Sequence, residues 1–286
     1  MSQFEHPEVD YSRYSNRQLM AVPLAILVVA VVVVGGTWAL TGSPADLGVD
    51  FTGGSELTVE TSLSQAELAE AFDEPVVSVQ GIEGQNNYVI TFESGDVDSI
   101  RDTATAHGDI EVLGSGSTSP IFGANNQRWA IIGIGIAFLG MSILAFVLFR
   151  TFIPSLAIVV SAFSDMIVPI AVLNLLGFKL SLGTVAALLM LIGYSVDSDI
   201  LLTNHVLRRS GGYYESTYRA MRTGVTMTLT SMAALFVMAV TASYFGIDLM
   251  ASIGFVLIIG LATDLVNTYM FNVSLLRWYV FEGVKR

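Results

Sequence analysis

The stretch LMAVPLAILVVAVVVVGGTWAL, from Leu19 to Leu40, carries no charged side chain. A transmembrane helix needs roughly 20 apolar residues to cross the ~30 Å hydrocarbon core, and this stretch supplies them. It is too long for a signal-peptide core, and no A-x-A cleavage pattern follows, so it reads as a retained signal anchor. Five further stretches read as spans, at about 129–149, 152–176, 180–203, 224–245 and 249–275. The expected fold is therefore an α-helical integral membrane protein with six transmembrane helices. The expected order is a tail (1–18), a first span (19–40), a domain (41–128), a five-helix bundle (129–275) and a second tail (276–286).

Composition agrees. Of 286 residues 53% are hydrophobic and 13% charged, about half the charge of ordinary soluble domains. There is no cysteine, which excludes disulfides, thiolate metal sites and a cysteine nucleophile. The net charge is −12, and 15 of the 25 acids lie between Asp46 and Glu111, where Arg101 is the one basic residue. Such a field repels nucleic acid and anionic headgroups. It suits high salt, where a Debye length of about 3 Å at 1 M screens self-repulsion.

Orientation follows from the basic residues. With the N-terminus cytoplasmic, Arg13, Arg17, Arg150, Arg208, Arg209, Arg219, Arg222, Arg277, Lys285 and Arg286 fall inside. Only Arg101, Arg128 and Lys179 fall outside. This is the positive-inside bias, so both termini are expected in the cytoplasm and 41–128 outside the cell membrane.

That outer segment has domain character. Ser55 to Glu60 alternates as a half-buried strand does. Ser64-Gln65-Ala66-Glu67 is a capping box opening a short helix to about Phe72. Strands follow at Val76–Ile82 and Tyr88–Phe92, with a turn at Gly84-Gln85-Asn86-Asn87. A helix at Val97–Ala106 and a strand at Ile110–Leu113 complete a β-α-β-β-α-β order, the ferredoxin-like pattern. The expected extracytoplasmic domain is thus small, α+β and ferredoxin-like. Gly53-Gly54 reads as a turn or close backbone approach, because no Lys-Ser/Thr follows to make a phosphate loop.

Three stretches carry a resemblance. Gly48-Val49-Asp50-Phe51-Thr52-Gly53-Gly54 resembles a signature of the SecD/SecF family of protein-export proteins. Leu191 to Asp199, with Gly193-Tyr194-Ser195 at its centre, resembles the fourth-span segment of its SecF members. Ser119-Pro120-Ile121-Phe122-Gly123 resembles the family's motif before the second span. The resemblance implies a SecD partner with a related six-span bundle, association with the SecY translocation channel and an exported polypeptide. It implies no enzyme activity and no cofactor, with coupling to an ion gradient in bacterial members. Where the bacterial pattern reads Asn-Asp this chain has Asp197-Ser198, and a bacterial arginine falls at Thr226; Asp197-Ser198-Asp199 resembles the archaeal form.

Four acids lie within spans: Asp165, Asp197, Asp199 and Asp264. Each costs about 2.5–3.5 kcal/mol at a membrane centre on insertion scales. Counted from Arg150, Arg208 and Arg277, Asp165, Asp197 and Asp264 lie within a turn or two of one depth and are expected to meet in a polar layer. Asp264, Thr268 and Asn272 share a helix face, as do Asp197, Asn204 and His205. Asp197 and Asp199 are about 200° apart, so both cannot face one neighbour.

Two readings stand for these acids. One is a proton or ion relay; the other is hydrogen-bonded glue between helices, favoured for Asp165 and Asp199. Six spans with buried acids also suit half of an ion-coupled small-solute transporter. An intramembrane aspartyl protease is disfavoured, since no GxGD motif accompanies the acids.

Overall fold

A computed structural model describes residues 11–81, 86–208, 212–245 and 247–283. Among them, six helical stretches are long and apolar enough to cross a membrane. The first is α1 (Asn16–Thr41), capped by Ser15 and Gln18 and ended by Gly42 at φ 81°. The others are α5 (Pro120–Phe149), α6 (Phe152–Leu176), α7 (Leu182–Arg208), α8 (Tyr213–Tyr244) and a sixth in three parts. That sixth span joins α9 (Asp248–Val266), a π-helical segment (Asn267–Asn272) and α10 (Val273–Phe281).

Two helices start well before their apolar stretches. The α5 helix begins at Pro120, where Ser119 accepts from the Phe122 amide and proline occupies the first turn. Proline is suited there because its missing N–H would be unpaired anyway. At 30 residues it is about 45 Å long, so its first turns stand clear of the hydrocarbon. The α8 helix likewise begins at Tyr213, with Glu215 and Arg219 pairing one turn apart.

Between α1 and α5 the chain builds one helical turn, α2 (Val49–Thr52), and then β1 (Gly54–Thr61), α3 (Gln65–Glu70), β2 (Val76–Gly81), β3 (Asn87–Phe92), α4 (Val97–Ala106) and β4 (Ile110–Thr118). The strands form one antiparallel sheet in the order β2-β3-β1-β4. The capping box expected at Ser64 and Glu67 is present. The strand expected to stop at Leu113 runs on to Thr118, since Gly114 to Thr118 pair with Thr58 to Gly54. Of the expected turn at 84–87, Gly84 and Gln85 lie outside the described residues.

Strand alternation gives the sheet two different faces. Leu57, Val59, Ile90 and Phe92 point to one side and bury Leu68 of α3 with Ile100 and Ala104 of α4. Glu56, Ser78, Gln80 and Thr91 point to the other. That polar face rests on the short loop joining α6 to α7. Lys179 of the loop lies 2.8 Å from both the Ser78 and the Thr91 hydroxyls, and Gln80 donates to the Gly177 carbonyl at 3.2 Å.

In the membrane part, α6 and α7 are the most enclosed helices, while α5 and α8 leave most of their surface uncovered. The first and last spans meet at the far end. Arg277 donates to the carbonyls of Tyr11 and Tyr14, at 2.8 and 2.9 Å, and to the Asn16 side chain. The Tyr11 hydroxyl donates to the Tyr269 carbonyl at 3.1 Å.

Candidate functional site

Midway along α6, α7 and the sixth span, three carboxylates are sealed from solvent: Asp165, Asp199 and Asp264, 0, 0 and 1% exposed. Each is held by neutral donors. Asp165 accepts from Ser195 Oγ and, at 2.7 Å, from Asn267 Nδ2. Asp264 accepts from Ser198 Oγ, which lies 2.9 and 2.8 Å from its two oxygens. Asp199 Oδ1 accepts from Thr268 Oγ1 at 2.8 Å and from Asn272 Nδ2. Thr268 Oγ1 is also 3.2 Å from Asp264 Oδ1, so it joins the second and third carboxylates.

The π-helical segment makes this possible. Extra residues per turn bring more side chains to one face than α-helical spacing allows, and such segments recur at functional sites. Here Asn267, Thr268 and Asn272 all turn inward and are buried. Asn267 reaches α6 while Asn272 reaches α7.

The layer is not saturated. Asp199 Oδ2, Asn272 Oδ1 and Ser161 Oγ are buried without a hydrogen-bond partner, and Ser161 lies beside Asp199. Buried polar atoms without partners are costly, and these three belong to Asp199 and two residues beside it. Among the described residues, no lysine, arginine or histidine forms an ion pair with any of the three acids. Charge balance in such a layer is met by protons, by a cation, or by a basic group from another chain. A groove of about 360 Å³ between α1, α6 and α9 reaches Asn267, which bonds Asp165.

The structure corrects the expected grouping of acids. Asp197 does not join Asp165 and Asp264; it lies exposed on the opposite face of α7, with Gly193 and Tyr194. The acid that enters the layer is Asp199. The physical reason is the angle between the two: Ser195 and Asp199 are one turn apart and face inward together, which turns Asp197 away. The expected alignment of Asp264, Thr268 and Asn272 is present. Asn267 carries no such expectation from the sequence, and Ser198 stands out there only as a departure from the bacterial pattern. The missed signal was a run of polar residues, Ser195, Ser198 and Asp199, on one face of an otherwise apolar helix.

The motif glycines form a second assembly, outside the membrane. Gly53 and Gly54 have φ of 81° and 108°, where L side chains are strained. A Cβ on Gly53 would lie 2.7 Å from Pro120, and one on Gly54 2.3 Å from the Phe92 carbonyl oxygen. Across this contact a Cβ on Gly123 of α5 would meet the Phe51 backbone at 2.8 Å. Thr52 ends the α2 turn, its hydroxyl 3.2 Å from the Gly48 carbonyl. The expected close backbone approach is what these glycines permit.

A family model described as "Protein export membrane protein SecD/SecF, C-terminal" matches residues 99–282. A second, "SecD/SecF GG Motif", matches residues 38–62. The chain is similar to a "Protein-export membrane protein SecF" of Haloferax volcanii, 58% identical over 287 residues with all of both chains covered. The counterpart of Haloquadratum walsbyi is 56% identical over 291 residues, again with all of both covered. Among solved structures, the crystal structure of SecDF, a translocon-associated membrane protein from Thermus thermophilus, superposes with a TM-score of 0.71 at 19% identity. The match covers 96% of this chain and 39% of that longer one. At that identity the likeness is one of fold.

Proposed function

The chain belongs to the SecD/SecF family of protein-export membrane proteins, and from that premise we infer that it is the SecF-type accessory subunit of a Sec translocase, acting with SecD to promote protein export. The observation that carries the reading is the full-length likeness to SecF proteins, 58 and 56% identical. The same likeness speaks against half of a small-solute transporter.

A partner bundle fits the exposed face of α7. Acids within a membrane almost always face a bundle interior or a water-filled cavity, yet Asp197 is open to the outside of this bundle beside Gly193 and Tyr194. A second six-span bundle of SecD type would cover it. The SecY channel and the exported polypeptide are further partners in this reading. The outer α+β domain, of ferredoxin-like strand order, lies on the extracytoplasmic side, with both termini cytoplasmic. Its acid-rich surface suits a high-salt exterior.

The buried layer is the element proposed to couple export to an ion gradient. Three carboxylates held by Ser, Thr and Asn donors can exchange a proton or cation without losing their positions. Two rearrangeable hydroxyls, Ser198 and Thr268, connect them.

The test is deletion of the gene for this chain, export of a signal-peptide reporter, and rescue by the intact chain carrying an affinity tag. Rescue with a co-purifying six-span partner supports the reading; normal export in the deletion strain overturns it. Reporter fusions after Ser94 are expected outside and after Gly211 inside; an inside signal at Ser94 would reverse the orientation.

A further inference from the structure

Six hydrogen bonds join the outer part of the chain to the loop between α6 and α7 and to the first turn of α7. Leu180 and Leu47 form a parallel bridge: Gly48 N–H donates to the Leu180 carbonyl at 2.9 Å, and Leu180 N–H to the Asp46 carbonyl at 2.7 Å. Lys179 extends between Ser78 and Thr91 on the open face of the sheet. Gln80 holds the Gly177 carbonyl. The sixth reaches the helix itself, where Asp50 Oδ2 accepts from the Leu182 amide at 2.9 Å.

The first amides of a helix have no partner within it. In α7 two of them are covered locally, because Ser181 and Thr184 cap each other through their hydroxyls and amides. The Leu182 amide is left for Asp50, whose negative charge also suits the positive end of the helix. Asp50 is itself fixed at both sides: its carbonyl accepts from Asn126 of α5 at 3.1 Å, and it stands in the α2 turn between Gly48 and Gly53. Side chains at Gly48, Gly53, Gly54 and Gly123 would each meet neighbouring backbone, so the assembly has little slack. Burial holds the Lys179 amine below its ordinary pKa, with Glu56 and Asp46 opposing, as expected of a lysine packed into a contact rather than solvated.

We propose that Asp50 and Lys179 are the two pins of a coupling that sets the position of α7 from the orientation of the outer domain, which makes Asp50 a positioning residue for the export cycle. The α7 helix is continuous from Leu182 to Arg208 and contains no proline. Asp199 is 17 residues beyond Leu182, about 26 Å along the axis. A shift or rotation of the first turn is therefore delivered to Ser195, Ser198 and Asp199 together, and with them to the bonds they make to Asp165 and Asp264. The consequence for export rests on the reading of the buried layer as the coupling element; the mechanical link does not.

The test uses the full chain, whose lack of cysteine leaves a clean background for spin labels. Labels go on cysteines replacing Asp102 on α4 and Tyr244 at the outer end of α8, both exposed. The parent is expected to give one narrow distance distribution. Asp50→Ala and Lys179→Met are expected to broaden it, whereas Asp50→Asn, which keeps an acceptor for Leu182, leaves it narrow.

In the reporter assay Asp50→Ala should lower export about tenfold, one lost hydrogen bond to a charged group, with Asp50→Asn restoring most of it. A narrow distribution kept in both Asp50→Ala and Lys179→Met overturns the coupling. Broadening with normal export overturns the positioning role. If Asp50→Ala fails to accumulate, Lys179→Met, which leaves the motif intact, decides between the same outcomes. Normal export from Asp199→Asn would remove the layer reading and leave the spin-label result standing.

Discussion

The Ser198 hydroxyl sits against both carboxylate oxygens of Asp264, bridging α7 and the sixth span. A hydroxyl of one helix thus faces an acid of the other. Ser198→Ala removes that donor and leaves a buried carboxylate short of a partner, which costs about 1–3 kcal/mol. Thermal unfolding in detergent should show the loss. Ser198→Asp should be worse, because it sets two carboxylates face to face.

Asp199 and Asp197 separate the inside of the bundle from its outer face. Asp199→Asn keeps the shape but removes titration, and should lower export by roughly ten- to a hundredfold, the equivalent of one or two charge-assisted bonds, at normal protein level. Asp197→Asn should spare the isolated bundle's melting temperature and weaken retention of the co-purifying partner. Normal export with Asp199→Asn would identify the layer as structural.

The α+β domain between α1 and α5 should respond to pH through Glu67. Amide and hydroxyl donors from Ser64 hold this carboxyl below the usual carboxylate range. The folded state therefore favours the ionised form. That contribution is complete above the ordinary carboxylate pKa and is lost as pH falls through the lowered folded-state value. The protection of α3 amides, taken relative to their intrinsic exchange rate at each pH, should fall on acidification, and Glu67→Gln should remove that pH dependence. A dependence that survives in Glu67→Gln would point to another group.

Salt gives a further check on the same domain. Fifteen acids against one arginine between Asp46 and Glu111 repel one another at low ionic strength, and the repulsion is screened when the Debye length contracts to about 3 Å. Protease resistance of residues 41–128 in the full chain should rise from low to molar salt. Salt-independent cleavage would set the high-salt inference aside.

Some of this was legible in the sequence because the solvent wrote it. Hydrocarbon demands about 20 apolar residues per crossing, and Leu19 to Leu40 meets that demand without ambiguity. Helix beyond the membrane leaves no such mark, so Asn125, Asn126, Gln127 and Arg128 read as loop although they continue α5. Ser64 and Glu67 announced α3 because a capping box is a local device. The layer was half legible. Depth follows from counting, and it placed Asp165 and Asp264 correctly, but the inward face of α7 depends on its neighbours, and Asp197 was chosen over Asp199. The π-helical segment had no signal: Asn267 and Asn272 are five residues apart, a spacing that α-helical reasoning discards.

Arg277 and Tyr11 are 266 residues apart in the chain, and their contact has a meaning for biosynthesis. At a bacterial-like elongation rate of about 5–20 residues per second, the first span waits roughly 10–50 s before the arginine that fastens it is made. Asn267, Thr268 and Asn272 are products of the same last interval. Until then Asp165 has Ser195 but lacks Asn267, and Asp199 lacks both Thr268 and Asn272. A chain truncated before Asn267 keeps them in that state. Completion of the sixth span is therefore what closes the layer.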